Sequence, residues 1–249
     1  MRCLSLKVWT IIDEAQLTTL LKEGQLYCDE NNPDVMLGEK EIFELPYKYM
    51  SEKLAEKEKP PSKYGLCKTF LKWILHKPYK CLFPRWVWYR IDGKDDLCLS
   101  NLAHYHDGKP GWYVLVVFNI PDKHVLLSDF FAWHAPLNRW FFADDERIDN
   151  DFTSLCEERN IKQYSLFDDK YISTLDEYKR RWADALREMI IKSWNKIFDI
   201  ENESEYSRYK NNEKTIQGVV WKLYKKDILS IKHFFLTQRD IDNYEKNYS

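Results

Sequence analysis

Apolar segments of strand type occur in both halves of the chain, and amphipathic helical segments separate them at irregular intervals. The strand-like segments cover residues 4–12, 84–91, 112–118, 219–223 and 228–236. A doubly wound α/β fold alternates strands and helices regularly, whereas this irregular order is typical of an α+β fold with a mixed or antiparallel sheet. We therefore expect an α+β fold. No composition break divides residues 1–249, which predicts a single domain.

Local signals mark the ends of two helices. Asp13 and Gln16 have the spacing of a capping box, and Gly24 follows the apolar repeat, so we expect a helix between Asp13 and Gly24. Thr174 and Glu177 form a second capping box, which predicts the start of the longest helix.

Three further segments are assigned from spacing and composition. A 4-3-4 spacing of apolar residues predicts one amphipathic helix within residues 31–62. Turn-forming residues at 119–122 are expected to join the strand at 112–118 to a short strand at 124–127. Residues 143–159 are acidic and are predicted to form a loop.

Composition excludes several classes of protein. The chain has 10 Trp, 16 Tyr and 13 Phe against only 7 Gly, and it contains no glycine-rich phosphate-loop motif. The net charge of -2 excludes a wholly polybasic binder but allows a local basic face. The six cysteines fit no zinc spacing and favour reduced thiols. No signal-peptide pattern and no membrane-spanning apolar run are seen, so we expect a cytoplasmic protein without a membrane partner.

Motifs for metal or nucleophile chemistry are weak. His104 and His106 would share a strand face, but no third ligand is identifiable, so we interpret them as loop residues rather than as a zinc site. The acidic run 144–146 is interpreted as a solvated loop rather than as a site for a divalent cation. No G-x-S-x-G sequence is present, which argues against a nucleophile-elbow hydrolase. The sequence therefore predicts no metal site.

The most unusual segment covers residues 62–90, in which aromatic and cationic residues alternate and no acidic residue occurs. Its cations are Lys63, Lys68, Lys72, Lys77, Lys80, Arg85 and Arg90. Single-stranded nucleic acid needs cations for its phosphates and ring faces for its bases. We therefore predict RNA or DNA as a partner, with Lys72, Lys77, Lys80 and Arg85 binding the substrate. The alternative is that the rings pack in the core and the lysines form its solvated edge.

Several polar residues lie within apolar, Trp-rich frames. Thr10 follows Trp9, Gln217 opens an apolar strand, and Asp129 and His134 belong to one apolar run. Asp129 is expected to act as an N-cap, which places His134 and Asn138 one turn apart on a helix face. Such residues are either caps and hydrogen-bonded core groups or parts of a site, and both interpretations stay open.

Five sequence motifs resemble an uncharacterised bacterial family, a domain of unknown function, over nearly the whole chain. They are Val8-Trp9-Thr10-Ile11, Pro84-x-Trp86-x-Trp88-Tyr89, Leu126 to His134 with Leu137-Asn138, Trp194-x-x-Ile197-Phe198-Asp199, and Gln217-x-x-x-Trp221-x-Leu223 with Asp227-Ile228. The chain departs from the family pattern at Ile12, where that pattern has Gln, and within residues 92–110.

The order of three of these motifs is similar to that of the ADP-ribosyltransferase fold. That fold has a His or Arg followed by a hydroxyl residue on its first strand, an aromatic or hydroxyl residue on a second, and Glu or Gln opening a third. Trp9-Thr10, Trp88-Tyr89 and Gln217 occur in that order. The resemblance implies an ADP-ribosyltransferase-like fold, with NAD bound by these five residues. Trp9 replaces the His or Arg, and Gln217 replaces the usual Glu.

Some transferases of this fold act on nucleic acids as toxins of toxin–antitoxin or phage-defence systems. The resemblance and the basic segment together imply an NAD-dependent ADP-ribosyltransferase that modifies RNA or DNA, with an antitoxin protein as a further partner. Gln217, Thr10 and Asp129 are its expected catalytic residues, Asp129 supplying the charge that Gln217 lacks, and His134 and Asn138 are expected to bind substrate. The alternative is a non-catalytic module on the same fold that binds nucleic acid or protein.

Overall fold

A six-stranded sheet organises the fold. The structure is a computed structural model that describes residues 4–28, 40–58, 83–91, 110–201, 214–240 and 242. The chain forms two units, of which the second is Ser128–Thr215 and the first comprises the residues on either side of it. This division does not test the prediction of a single domain, which stays a prediction.

All registered strand pairings in the described residues are antiparallel. The strands are β1 (Ser5–Ile12), β2 (Gln25–Leu26), β3 (Arg85–Arg90), β4 (Gly111–Pro121), β5 (Leu126–Asp129), β6 (Ile216–Val220), β7 (Leu223–Tyr224) and β8 (Ile228–Leu236). The main sheet has the order β5-β6-β3-β1-β4-β8, and β2 pairs with β7. Antiparallel pairs join β1 to β3 and β4, β3 to β6, and β4 to β8. The α+β class is therefore confirmed.

The described residues of the first unit include the helices α1 (Glu14–Glu23) and α2 (Lys40–Glu58). The Asp13 side chain accepts a hydrogen bond from the backbone N–H of Gln16 at 2.7 Å, which confirms the predicted N-cap. Gly24 ends α1 in the left-handed conformation, with a φ of 76°, and its N–H donates to the Leu20 carbonyl at 3.0 Å. Glycine adopts this conformation without the Cβ clash of other residues, so the predicted stop is also confirmed.

In the part of the chain that the structure describes, two apolar clusters pack against the strands of the first unit. One contains Val8 of β1 and Val87 of β3, and the other contains Trp9 of β1. Because successive side chains of a strand point to opposite faces, Val8 and Trp9 mark the two faces of the sheet. We call the faces the Val8 face and the Trp9 face.

Four α-helices make up most of the described residues of the second unit. They are α3 (His134–Asn138), α4 (Glu146–Glu158), α5 (Asp169–Ser173) and α6 (Glu177–Ser193). Leu186, Ile190 and Trp194 are fully buried along α6 and the 3₁₀ turn that follows it. Their spacing of four residues gives α6 the apolar stripe that packs this unit.

The prediction of a loop at residues 143–159 is wrong, because α4 occupies most of this segment. Asp145 caps α4 by accepting a hydrogen bond from the Ile148 N–H at 2.8 Å. Phe152 and Cys156 are buried one turn apart, so the acidic helix has one apolar side. The Phe141 ring stacks on Phe152 with ring centroids 4.2 Å apart. These contacts outweigh the polar composition of the segment.

Two predicted boundaries are displaced. α6 has Asp176 as its N-cap, which accepts a hydrogen bond from the Lys179 N–H at 2.8 Å, whereas the hydroxyl of Thr174 donates to the Tyr171 carbonyl. The turn predicted at 119–122 forms at Asp122–His124, because β4 continues its pairing with β1 through Pro121. None of the described helices is long and apolar enough to cross a membrane.

Candidate functional site

Gln217, Trp88 and Trp9 form one row across three adjacent strands of the first unit. Trp88 of β3 lies opposite Gln217 of β6 on one side and opposite Trp9 of β1 on the other. Directly opposed residues of antiparallel strands have their Cβ atoms about 4.5–5.5 Å apart on the same face. The sheet register thus joins residues that are far apart in the sequence, and we call them the Gln217 row.

The Gln217 row contains two buried hydrogen-bond donors without a partner among the described residues. Trp9 is 1% exposed and Gln217 is 4% exposed. The indole Nε1 of Trp9 and the amide Nε2 of Gln217 make no hydrogen bond within the described part of the chain. Each such donor costs about 1–3 kcal/mol, and native structures retain few of them. Two on one row are the feature of this row that a ligand with hydrogen-bond acceptors would satisfy.

The other predicted NAD-binding residues lie on the opposite face. Thr10 pairs with Val116 of β4, which belongs to the cluster on the Val8 face, and Tyr89 packs against the same cluster. Strand alternation sends neighbouring side chains to opposite faces, so Thr10 cannot share a pocket with Trp9, nor Tyr89 with Trp88. The structure therefore divides the predicted set and brings only Trp9, Trp88 and Gln217 together.

Arg85 is engaged away from the Gln217 row. It lies opposite Val220, which also belongs to the cluster on the Val8 face. Its guanidinium donates to the side-chain carbonyl of Gln16 at 3.0 Å. Arg85 thus ties β3 to α1, and the Gln217 row itself consists of uncharged residues.

Asp129 forms a buried network within the second unit. Its Oδ1 accepts hydrogen bonds from the backbone N–H groups of Phe131 and Ala132 at 2.9 and 3.1 Å. Its Oδ2 lies 3.8 Å from the ammonium of Lys214, and the two side chains are 7% and 3% exposed. Lys214 also donates to the Ile200 carbonyl at 3.4 Å. Asp129 caps the turn that precedes α3, whereas the N-cap of α3 itself is Trp133, so the prediction of Asp129 as the helix N-cap is wrong. The charge of Asp129 is balanced locally by Lys214.

Sequence reasoning missed Lys214 because it ends a polar tract. Nothing in its neighbourhood distinguishes it from the exposed lysines of the chain. The ammonium of Lys214 lies beside Asp129 because of the path that the chain takes just before β6, and this path is not evident from the sequence. Asp129 alone gave a signal, as a carboxylate in an apolar run.

His134 and Asn138 lie on α3, one turn apart, and both are exposed. The amide of Asn138 donates to the His134 carbonyl at 2.8 Å, and the His134 ring lies 3.1 Å from the Phe131 carbonyl through Nδ1. Two clefts adjoin them. His134 lines a cleft of about 370 Å³, which we call the aromatic cleft, and Asn138 lines a neighbouring cleft of about 390 Å³. Both clefts are large enough for a small ligand.

The remaining predicted residues lie outside the described part of the chain. These are Lys63, Lys68, Lys72, Lys77 and Lys80 of the basic segment, together with His104 and His106. Among the described residues, no group of three or more His, Cys, Asp or Glu side chains is arranged to hold a metal ion. In the run 144–146, Asp144 pairs with Lys196 and Asp145 caps α4.

Comparison with known proteins identifies one family. The family model described as Domain of unknown function (DUF3841) matches residues 37–229, which include Trp88 and Gln217. No curated protein and no solved structure matches the chain. Since the matched residues make up more than half of the sequence, the chain belongs to the family described as Domain of unknown function (DUF3841).

Proposed function

We propose that this chain is a cytoplasmic, NAD-dependent ADP-ribosyltransferase of the toxin or phage-defence type that modifies nucleic acid, RNA or DNA. The observation that carries the proposal is the Gln217 row, with its two unpartnered buried donors. The three motifs that resemble the ADP-ribosyltransferase fold lie 79 or more positions apart, from Trp9 to Trp88 to Gln217, and yet meet on adjacent strands. Because the three residues lie side by side on neighbouring strands, they could contact one ligand together.

The residues of the row fit the polar and aromatic groups of NAD. Nicotinamide carries a carboxamide oxygen and its ribose carries hydroxyl groups, and all of these accept hydrogen bonds. We assign the carboxamide oxygen to the indole N–H of Trp9, a ribose hydroxyl to the amide of Gln217, and the face of the nicotinamide ring to Trp88. Satisfying each buried donor recovers about 1–3 kcal/mol, which favours the bound state.

A neutral row is compatible with transfer chemistry because NAD supplies an activated glycosidic bond, in which the nicotinamide ring is already cationic and leaves as a neutral molecule. The row therefore needs no general acid for the leaving group. Its amide and indole groups orient the ribose and the carboxamide in a buried, weakly polar setting, where such hydrogen bonds are strong. Without a carboxylate, these residues position NAD but do not supply charge.

A second function is favoured by the absence of charge from the row. A non-catalytic module on the same fold would bind nucleic acid or protein without needing a carboxylate. Gln cannot act as a base, and the carboxylate of Asp129 is already bound to two amides and to Lys214. Incubating the chain with NAD and with RNA, DNA or protein, followed by mass spectrometry, separates the two functions. A mass increase of one ADP-ribose on a nucleic acid supports the transferase.

NAD binding is tested by the variant Gln217→Leu. Leucine has a similar size and removes the unpartnered amide, so we expect the variant to fold at least as stably as the parent. Isothermal calorimetry should show a Kd for NAD about 5- to 150-fold higher, which corresponds to about 1–3 kcal/mol. Ser51→Ala is the matched control, because the Ser51 hydroxyl is also buried without a partner among the described residues but lies on α2.

Two results would contradict the assignment. One is the absence of NAD binding by the parent chain, and the other is equal NAD affinity in Gln217→Leu and Ser51→Ala. The variant Thr10→Val distinguishes the two faces of the sheet. If it weakens NAD binding as strongly as Gln217→Leu does, the ligand lies on the Val8 face and the proposed geometry is wrong.

A further inference from the structure

A short basic segment of the first unit follows β6. Residues 221–228 contain three lysines and one acidic residue, Asp227. Within this segment, the ammonium of Lys222 lies 6.0 Å and that of Lys226 lies 5.3 Å from the centre of the Tyr224 ring. Both distances are within the range of cation–π attraction, so one ring holds two like charges near each other. We call Lys222, Tyr224 and Lys226 the Tyr224 cluster.

Strand pairing and a helix end fix the backbone at the Tyr224 cluster. Tyr224 of β7 pairs with Gln25 of β2, and the N–H of Lys225 donates to the Gly24 carbonyl at 3.0 Å. The ammonium of Lys225 donates to the Leu21 carbonyl at 2.9 Å, which is one of the last carbonyls of α1. One of the three lysines thus stabilises the fold, and the other two are held over a ring.

The Tyr224 cluster carries positive charge that a ligand can approach. Lys226 is exposed, whereas Lys222 and Tyr224 are half-buried. Burial, with smaller contributions from Asp227 and Glu58, raises the pKa of the Tyr224 hydroxyl, so the ring stays uncharged at neutral pH. Two ammonium groups beside an uncharged ring attract an anion, and no phenolate opposes it.

The Tyr224 cluster is close in sequence to the Gln217 row. Lys222 follows Gln217 by five residues, so the Cα atoms of the two residues are at most about 18 Å apart. Nucleic acid carries a phosphate on every nucleotide. A strand whose modified nucleotide lies at the row would therefore have other phosphates within that distance, whereas a single small anion could not contact both places.

We propose that the Tyr224 cluster binds a backbone phosphate of a single-stranded nucleic acid, an inference that rests on the proposed function for its substrate class. The ammonium groups of Lys222 and Lys226 bind the phosphate oxygens, and the Tyr224 ring holds the two ammonium groups in place. A lysine contact to phosphate is electrostatic and independent of base sequence. The same two lysines would also suit the pyrophosphate of NAD, and the test separates these two sources of phosphate.

The test measures fluorescence anisotropy of a labelled dodecauridylate and a labelled dodecaadenylate with the full chain at several salt concentrations. Lys222→Gln and Lys226→Gln should each weaken binding of both RNAs about 1.5- to 5-fold, the range of an exposed ion pair. Each variant should also reduce the steepness of the plot of log affinity against log salt concentration by about 0.7, the value for one phosphate contact of a single strand. The double variant should reduce it by about 1.4.

Variants of the ring distinguish an organised site from loose surface charge. Tyr224→Phe keeps the ring and should bind both RNAs as the parent chain does, whereas Tyr224→Leu should weaken binding as much as loss of one lysine. Thermal melting of each variant checks that the fold is intact, and the lysine variants keep the inference testable if Tyr224→Leu does not fold.

Lys48→Gln is the matched charge control. Lys48 is exposed on α2, ten residues before Glu58, the α2 residue that acts on Tyr224. Ten residues of helix are about 15 Å long, so Lys48 lies well away from the cluster. This variant makes the same change in net charge and should leave the salt dependence unchanged.

Several outcomes would overturn the inference. They are the absence of RNA binding by the parent chain, equal salt dependence of the parent chain and the double variant, and equal losses in Lys226→Gln and Lys48→Gln. Weaker binding of only one of the two RNAs would assign the lysines to a base rather than to a phosphate. Tighter binding of a labelled oligoglutamate than of the dodecauridylate would assign the cluster to an acidic protein. Both of these results would overturn the inference as well.

NAD calorimetry on the same variants separates this inference from the proposed function. Lys222→Gln and Lys226→Gln should bind NAD as the parent chain does, because neither residue belongs to the Gln217 row. Weaker NAD binding with unchanged RNA binding would assign the cluster to the pyrophosphate of NAD and overturn the inference alone. RNA binding that depends on the cluster in a chain that binds no NAD overturns the transferase and supports the nucleic-acid-binding module.

Discussion

Replacing Lys214 with methionine isolates a buried charge in the second unit. Methionine has nearly the same length as lysine but carries no ammonium. The carboxylate of Asp129 then keeps its two backbone donors, Phe131 and Ala132, and loses the counter-ion that lies 3.8 Å away. Because Lys214 and Asp129 are 3% and 7% exposed, water cannot replace the lost charge.

The expected cost follows from the separation and the burial. Two unit charges 3.8 Å apart attract by about 4 kcal/mol at an effective dielectric constant of about 20. Removing one partner of a buried pair typically costs about 3–5 kcal/mol. Asp129→Asn should cost a similar amount, since it leaves the ammonium of Lys214 buried. The double variant removes both charges, and it should be less destabilised than either single variant.

Urea unfolding followed by circular dichroism measures these free energies of unfolding. If Lys214→Met changes the free energy by less than about 1 kcal/mol, or if the two single effects simply add, the pair is not coupled and the reasoning is refuted. The cycle also tests Asp129 as a catalytic residue. A structural Asp129 predicts that the double variant regains any transferase activity lost by either single variant, whereas a catalytic Asp129 predicts that it does not.

Two further predictions concern packing and thiol chemistry. Gly218→Ala should destabilise the first unit by about 1–3 kcal/mol, because a Cβ at this position would lie 3.0 Å from a methyl group of the buried Val125. The control Gly111→Ala, whose Cβ would have its closest contact at 3.6 Å, should have a Tm within about 2 °C of that of the parent chain. Burial, with a smaller contribution from Glu157, raises the pKa of the Cys156 thiol to about 11, so native protein at pH 8 should resist iodoacetamide at this position and react there only in denaturant, as peptide mass spectrometry would show.

Local patterns in the sequence were sufficient to predict most of the described helices and strands and several of their end points. The cap at Asp13, the stop at Gly24 and the strand at 228–236 depend on residues that are neighbours in the sequence. Their physical causes are backbone conformation and a local hydrogen bond, so they could be recognised without the fold. The helix at Glu146–Glu158 could not, because Phe141 and the rest of the second unit cover an apolar side that its acidic composition conceals.

The sequence was not sufficient to predict which residues of the candidate site lie together. The sequence by itself determined that Thr10, Asp129 and Gln217 are polar residues in apolar frames, and the structure finds all three buried. Strand alternation is also local, so it already separates Trp9 from Thr10. The register between β1, β3 and β6 decides which of these two residues lies on the same face as Gln217. The burial of Lys214 beside Asp129 depends on the path of the chain between residue 201 and the start of β6. Both are set by contacts between residues far apart in sequence, and only the tertiary structure decides them.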